Sequence, residues 1–222
     1  MKRRPEPELM EEVDQALAYK EADFSEPNKL FIKLLDELEP GELKGARALD
    51  LGCGPADIVL RFLKAYPQAE CDALDGSDAM LEHARLALDK LPGLAGRCRL
   101  VQDILPSEKL PKAAYDLVLS NSLLHHLHDP QVLWRTVRET AKPGAIVLVM
   151  DLMRPPSAMW AESLVATYAA DAPDVLRNDF RNSLFAAFEP REVVAQLAEA
   201  GLAGLEVGVV SDRHLAVRGR LQ

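Results

Sequence analysis

The chain has 222 residues, 48% of them hydrophobic and 27% charged, which suits a folded globular protein with a large core and excludes a disordered or fibrous one. Its 26 Lys and Arg stand against 35 Asp and Glu, a net charge of −9, and an acidic surface of this kind makes nucleic acid a poor default partner. Cys53, Cys71 and Cys98 form no CxxC pair, so they predict reduced thiols in a cytoplasmic protein rather than a disulfide framework.

The N-terminus, MKRRPEPELMEEVDQ, starts basic, turns acidic and has no apolar stretch, so it does not read as a secretion signal. The longest apolar runs, such as AIVLVM, are strand-length and too short to span a bilayer. Over residues 1–44, charged and apolar residues alternate at helical spacing (Val13 and Leu17, then Leu30, Phe31, Leu34, Leu35 and Leu38), predicting two helices hinged around ADFSEPN. ARALDLGCG then reads as a short strand running into glycines, and PADIVLRFLKAYP as a helix opened near Pro55 and closed by Pro67.

The alternation continues. AECDALDGS is strand-like; SDAMLEHARLALDKLPG is a helix with Ser77 as candidate N-cap and Pro92-Gly93 as its stop. RCRLVQDI and AYDLVLSNS are the third and fourth strands, and DPQVLWRTVRETAKPG a helix with Asp129 as N-cap and Pro130 at its first position. AIVLVMDL, unbroken in its apolar run, predicts a fifth strand covered on both faces.

Residues 153–188 then break the rhythm as a polar and aromatic helical insertion. PREVVAQLAEAGL follows as the last helix, and two strand-like runs around Ser211-Asp212-Arg213 predict an antiparallel edge hairpin. The expected fold is α/β: a Rossmann-like, doubly wound, mostly parallel seven-stranded sheet. It is expected as a single domain over 1–222, with a helical N-terminal lid (1–44), a ligand-binding core (45–152), a helical substrate-side insertion (153–188), and the last helix and hairpin (189–222).

The first strand carries the strongest chemical signal. Asp50 ends it, and Gly52 and Gly54 occupy the turn into the next helix, where glycines admit a ligand close to backbone N–H groups. The third glycine of the dinucleotide pattern G-x-G-x-x-G is absent, since that place is Asp57. An acid ahead of the glycines suits a cationic or amine-bearing ligand better than a pyrophosphate. Asp75, 21 residues after Gly54 at the end of strand two, is placed to take both ribose hydroxyls, and Asp103 at the end of strand three could accept from an adenine amino group. Together they describe a nucleoside-binding edge without a phosphate requirement.

Asp50-Leu51-Gly52-Cys53-Gly54, Asp75-Gly76-Ser77, Gln102-Asp103-Ile104, YDLVLSNSLLHHLHDP and KPGAIVLVMDL occur in the order that resembles a class I S-adenosylmethionine (SAM) methyltransferase, similar to the small-molecule ubiquinone and menaquinone C-methyltransferases, over about residues 46–152. Where that family has a third glycine in its first motif, this chain has Ala56. The resemblance implies SAM as cofactor and S-adenosylhomocysteine as product, a small-molecule acceptor, no nucleic-acid or membrane partner, and a monomer or homodimer. It implies cofactor contacts from Asp50, Gly52, Cys53, Gly54, Asp75, Gly76, Met80, Asp103, Ile104 and Asn121. Met80 reads equally as helix core, and Cys53 as a small loop filler with nothing nearby to activate a thiolate.

Because the sulfonium brings its own leaving group, such an enzyme needs alignment, exclusion of water and, for some acceptors, a base. Tyr19 and Phe24 fall at a lid position, with simple helix packing as the other reading. Asp151, at the end of strand five, falls on the acceptor side, and Arg154 and Arg181 suit a small, partly apolar acceptor with an anionic group. In the turn after strand four, His126 and then His125 are the candidate bases, their unperturbed pKa suiting neutral pH. A structural role for one of them stays open.

A metal cluster is not expected from the histidines: His126 is expected to point away from His125 and His128, and no Cys or Glu-x-x-His partner is near. A nicotinamide reductase would need Tyr-x-x-x-Lys, and none of the four tyrosines has it. An exocyclic-amine methyltransferase would carry a (D/N)PP(Y/F) run where this chain has Ser120-Asn121-Ser122-Leu123. An RNA or protein methyltransferase, or a non-catalytic SAM-binding subunit, remains the alternative.

Overall fold

In a computed structural model of the chain, the structure is described for residues 1–6, 17, 19, 22–38, 41 and 43–222. Seven strands form one sheet in the order β3-β2-β1-β4-β5-β7-β6. They are β1 (Arg47–Leu51), β2 (Glu70–Asp75), β3 (Cys98–Gln102), β4 (Tyr115–Asn121), β5 (Ala141–Leu152), β6 (Glu206–Val209) and β7 (His214–Arg220). β1 to β5 pair in parallel, and β7 runs antiparallel between β5 and β6. The doubly wound sheet with its closing hairpin is therefore as expected.

Two sets of helices cover the sheet. One face is packed by α1 (Ser25–Asp36), α2 (Asp57–Ala65) and α3 (Asp78–Asp89), through Phe31, Leu35, Phe62, Leu63 and Leu81. The other face receives α5 (Gln131–Thr140) and α8 (Pro190–Glu199), through Trp134, Val137, Val193 and Leu197. These two helices are tied where Trp134 Nε1 donates to Gln196 Oε1 at 3.0 Å. The residues of β5 from Ala145 to Leu152 are all buried, as an apolar run covered on both faces must be.

Local signals account for most boundaries. Ser77 Oγ accepts from Met80 N at 3.2 Å and starts α3. Asp129 Oδ1 accepts from Gln131 N at 3.0 Å at the head of α5. Pro92 does not merely follow α3: it opens a short turn, α4 (Pro92–Ala95), because proline is well suited to a first helical position. The insertion consists of α6 (Ala158–Tyr168) and α7 (Asp174–Ala186), which share a small apolar core of their own. Of the two expected N-terminal helices, the second is α1; the first, around Val13, lies outside the described residues.

The order of the strands places a topological switch between β1 and β4. β1 continues outward to β2 and β3, while β4 leads to β5, so their carboxyl ends diverge and leave a crevice. It opens at Leu51 on one side and Asn121 on the other.

Candidate active site

A cleft partly open to solvent lies at that switch point. Its floor is the turn after β1. Gly52 N and Cys53 N both donate to Leu74 O, at 2.8 and 2.9 Å, so the backbone is anchored to β2 before it turns. Gly52, Gly54 and Ala56 all take positive φ (73°, 52° and 70°). A Cβ on Gly52 would stand 2.9 Å from Leu123, whereas a Cβ on Gly54 would meet nothing within 4 Å. Ala56 is fully buried and left-handed, at about 1 kcal/mol of strain that a glycine would avoid.

Asp75 closes β2 as a bracket. Its Oδ2 accepts from Gly54 N and its Oδ1 from Ser77 N, both at 2.8 Å. Burial raises its carboxyl pKa against the pull of these N–H groups. Asp50 lies beneath the same turn, 1% exposed, and its Oδ1 has no hydrogen-bond partner among the described residues. Burial, helped by the charge of Asp75, pushes the Asp50 carboxyl up to about 7. Asn121 Oδ1 is a second buried acceptor without a partner among the described residues.

The adenine-side candidates are gathered too. Asp103 Oδ2 accepts from Ser107 Oγ at 2.6 Å and Oδ1 from Ile104 N at 3.1 Å, and the serine bond leads in holding this carboxyl below the usual range. Ile104 lines the cleft at 60% exposure, an apolar side chain left open to a ring face, and Met80 lines it from α3 while remaining nearly buried. Gly76, Asn121 and Tyr19 also line it. Tyr19 is in ring contact with Phe24 at 4.6 Å, and its hydroxyl pKa is raised by burial and by surrounding carboxylates.

At the far end, Leu124–His126 form a single 3-10 turn, and His126 lines the cleft. His125 is buried behind it. Its Nδ1 and backbone N reach Asp151 at 2.5 and 3.2 Å, so Asp151 acts on the turn rather than on the cleft. Burial opposes charge on His125, but Asp151 and Glu6 outweigh it and the pKa is raised.

Several expectations change here. His126 does not point away from its neighbours: His126 Nδ1 and His125 Nε2 approach the same Glu6 Oε1, at 3.4 and 3.5 Å, and His128 Nε2 lies 3.0 Å from Glu6 O. Arg154 turns from the cleft and is buried against Glu189 and Glu192, at 3.0 and 2.8 Å. Arg181 is paired with Glu162 at 2.7 Å on the exposed side of the insertion. Cys53 is buried outside the cleft lining, its thiol pKa pushed up by burial. Ser122 and Leu123, in the turn after β4, wall the cleft; sequence reasoning missed Glu6, which has no local signature because its partners lie about 120 residues away.

Against known proteins, a methyltransferase-domain family model matches residues 49–147. A ubiquinone biosynthesis O-methyltransferase from Pseudomonas aeruginosa is 30% identical over 176 residues, 79% of this chain and 71% of that protein. The chain belongs to the class I SAM-dependent methyltransferases. Its cofactor is SAM. Among solved structures, a SAM-dependent methyltransferase from Aquifex aeolicus superposes with a TM-score of 0.66 at 20% identity, covering 94% of this chain and 99% of that one. A Haemonchus contortus phosphoethanolamine N-methyltransferase, in complex with phosphomonomethylethanolamine and S-adenosylhomocysteine, gives 0.67 at 18% identity, covering 88% and 43%. The matched region spans 39% of the length of one curated relative and 71% of another.

The residues present fit the cofactor. Gly54 leaves room where backbone must be approached, Asp50 and Asn121 offer acceptors that have no partner among the described residues for an ammonium group, and Ile104 offers an apolar face for a ring.

Proposed function

We propose that this enzyme moves the SAM methyl group to a small-molecule acceptor whose reacting atom lies beside His126. The supporting observation is one cleft lined by Gly54, Asp75, Asp103, Ile104, Asn121 and His126. Asp50, Gly52 and Gly54 would hold the methionyl part, with Cys53 contributing only backbone. Asp75 and Gly76 would take the ribose, and Asp103, Ile104 and Met80 the adenine. Residues 45–152 supply these contacts, while the N-terminal segment and residues 153–188 cover the acceptor side.

When bound, SAM supplies an electrophilic methyl on a sulfonium that leaves without help from the protein. The chain's own work is alignment and proton handling. The turn after β4 sets His126 at the cleft wall, where its imidazole would receive the acceptor's proton. Asp151 and His125 position that turn from behind. Tyr19, with Phe24 against it, would exclude water from above. Arg154 and Arg181, both engaged in ion pairs outside the cleft, are dropped as acceptor ligands.

Ubiquinone O-methyltransferase relatives favour a hydroxyl acceptor of modest size. The three thiols are free and no helix among the described residues is long and apolar enough to cross a membrane, which suits a cytoplasmic enzyme. The test is calorimetric titration with S-adenosylhomocysteine, followed by incubation with methyl-labelled SAM and a metabolite extract. Tight 1:1 binding and label in the small-molecule fraction are expected. Label only in RNA or protein would overturn the acceptor class, and absence of binding would overturn the reading altogether.

A further inference from the structure

We propose that Glu6, His125 and His126 form a site for one divalent cation of the zinc class, which latches the N-terminal segment onto the turn after β4. One donor atom from each residue lies within 4.8 Å of the others. Glu6 Oε1 stands 3.5 Å from His125 Nε2 and 3.4 Å from His126 Nδ1. A charge-assisted N–H···O bond between such groups closes to about 2.7–2.9 Å, so these separations are not those of hydrogen bonds. They match two edges of a tetrahedral site, in which metal–ligand bonds of about 2.0–2.2 Å put neighbouring ligand atoms roughly 3.3–3.6 Å apart.

The donor set and its surroundings agree. Two neutral imidazoles and a carboxylate suit Zn²⁺, Co²⁺ or Ni²⁺ rather than the all-oxygen shells of Ca²⁺ or Mg²⁺. His125 Nδ1 lies against Asp151 Oδ1, and a neutral ring donating there would turn its Nε2 lone pair towards Glu6. That is the outer-shell carboxylate by which metal-bound histidines are oriented. Ser183 Oγ fixes Glu6 Oε1 from the other side at 2.9 Å, and that oxygen keeps a second lone pair. The side chains of Glu6, His125 and His126 are only 12%, 3% and 13% exposed, so competing water is largely excluded. Glu6 and Asp151 bring two negative charges to the site, while the guanidinium of Arg3 is spent on the carbonyls of His125 and Leu127.

The inference rests on this donor geometry and not on the methyl-transfer reading. Through His126 the site borders the cleft. A cation on Nδ1 would end the role of His126 as a base and would instead polarise whatever acceptor atom approached it.

The probe is Co²⁺ added to chelator-treated full-length protein, read by visible absorption, with Zn²⁺ as competitor. The expected result is one equivalent bound with the intense spectrum of four- or five-coordinate cobalt, displaced by Zn²⁺. Glu6→Gln and His126→Ala should each weaken binding at least tenfold, while His83→Ala on α3 changes nothing. Glu6→Gln should keep the metal-free melting temperature and the affinity for S-adenosylhomocysteine, which separates loss of the site from loss of the fold. Absence of stoichiometric binding, a spectrum of hydrated octahedral cobalt only, or wild-type affinity in Glu6→Gln would overturn the proposal. S-adenosylhomocysteine binding in the same sample reports separately on the methyltransferase reading.

Discussion

A methyl group at position 52 would stand 2.9 Å from Cβ and Cδ1 of Leu123, on a backbone whose φ is already +73°. Left-handed strain adds about 1–2 kcal/mol and overpacking about 1–3, so Gly52→Ala should destabilise by roughly 2–5 kcal/mol. Because the turns after β1 and β4 both line the cleft, the same variant should weaken S-adenosylhomocysteine at least tenfold by calorimetry. Unaltered affinity would mean that the Gly52–Leu123 approach does not shape the site. Asp50 gives a pH prediction. Its folded-state pKa near 7 lies above the unfolded value, so the folded apo protein holds a proton that the unfolded chain has lost. Its contribution to apo stability is thus fullest below about pH 4 and is lost as pH rises towards 7. An ammonium group bound against this carboxylate must expel the proton, and affinity should fall by up to about tenfold per pH unit below 7. Asp50→Asn should bind weakly and without that slope, and a slope that survived it would assign the proton elsewhere. The glycines and acids were legible in the sequence because each is tied to a strand end. The buried, unpartnered state of Asp50 was not, since it depends on what lies above and below the turn.

Strands and helices were legible where period and punctuation agreed. β5 has an unbroken apolar run, and α3 has a serine cap with an apolar stripe behind it. Less legible were contacts between elements distant in sequence, and Asp72 shows why. It reads as one polar residue in an apolar strand, yet it joins four strands at the end of the sheet opposite the cleft. Its Oδ2 accepts from Arg47 of β1 and Tyr115 of β4, both at 2.6 Å, and both oxygens accept from Arg99 of β3, at 3.0 and 2.6 Å. Burial works against the charge, but the bonds from Arg99 and Tyr115 prevail and hold the carboxyl below its usual value. Its stabilising share is therefore present above about pH 4 and lost as pH falls through the lowered value. Asp72→Ala leaves a buried tyrosine hydroxyl and two guanidinium groups without their acceptor. With Arg99 half exposed, the loss is discounted to about 2 kcal/mol. S-adenosylhomocysteine affinity should stay within threefold, because the cleft is at the other end of the strands. A large loss of affinity at unchanged stability would contradict this division of the sheet.

At the scale of the molecule, the N-terminal segment closes onto elements more than a hundred residues away. Arg3 Nε donates to Ala186 O at 2.5 Å, Arg3 Nη2 to His125 O and Leu127 O at 2.8 and 3.0 Å, and its guanidinium covers the Phe188 ring at 3.9 Å. One side chain thus joins the end of α7, the strand of chain after it and the turn behind His126. Nothing in MKRRPEPE announces this, because a basic N-terminus reads the same whether it is docked or solvated. Arg3→Ala would leave three carbonyls short of a charged donor. With the side chain only partly buried, the loss should be about 2 kcal/mol. For a chain of this length, that corresponds to a fall of roughly 4–8 °C in Tm. Arg3 does not line the cleft, so S-adenosylhomocysteine should bind Arg3→Ala within threefold of wild type. At 100 times its Kd the ligand adds about 2.7 kcal/mol to any form it binds, so wild type and variant should gain the same roughly 5–11 °C. A thermal-shift series with and without ligand reads both quantities. If Arg3→Ala melts with wild type, the segment is not docked through this residue in solution. If the variant melts lower and also loses the ligand-induced gain, the segment supports the cofactor end of the cleft as well as the turn.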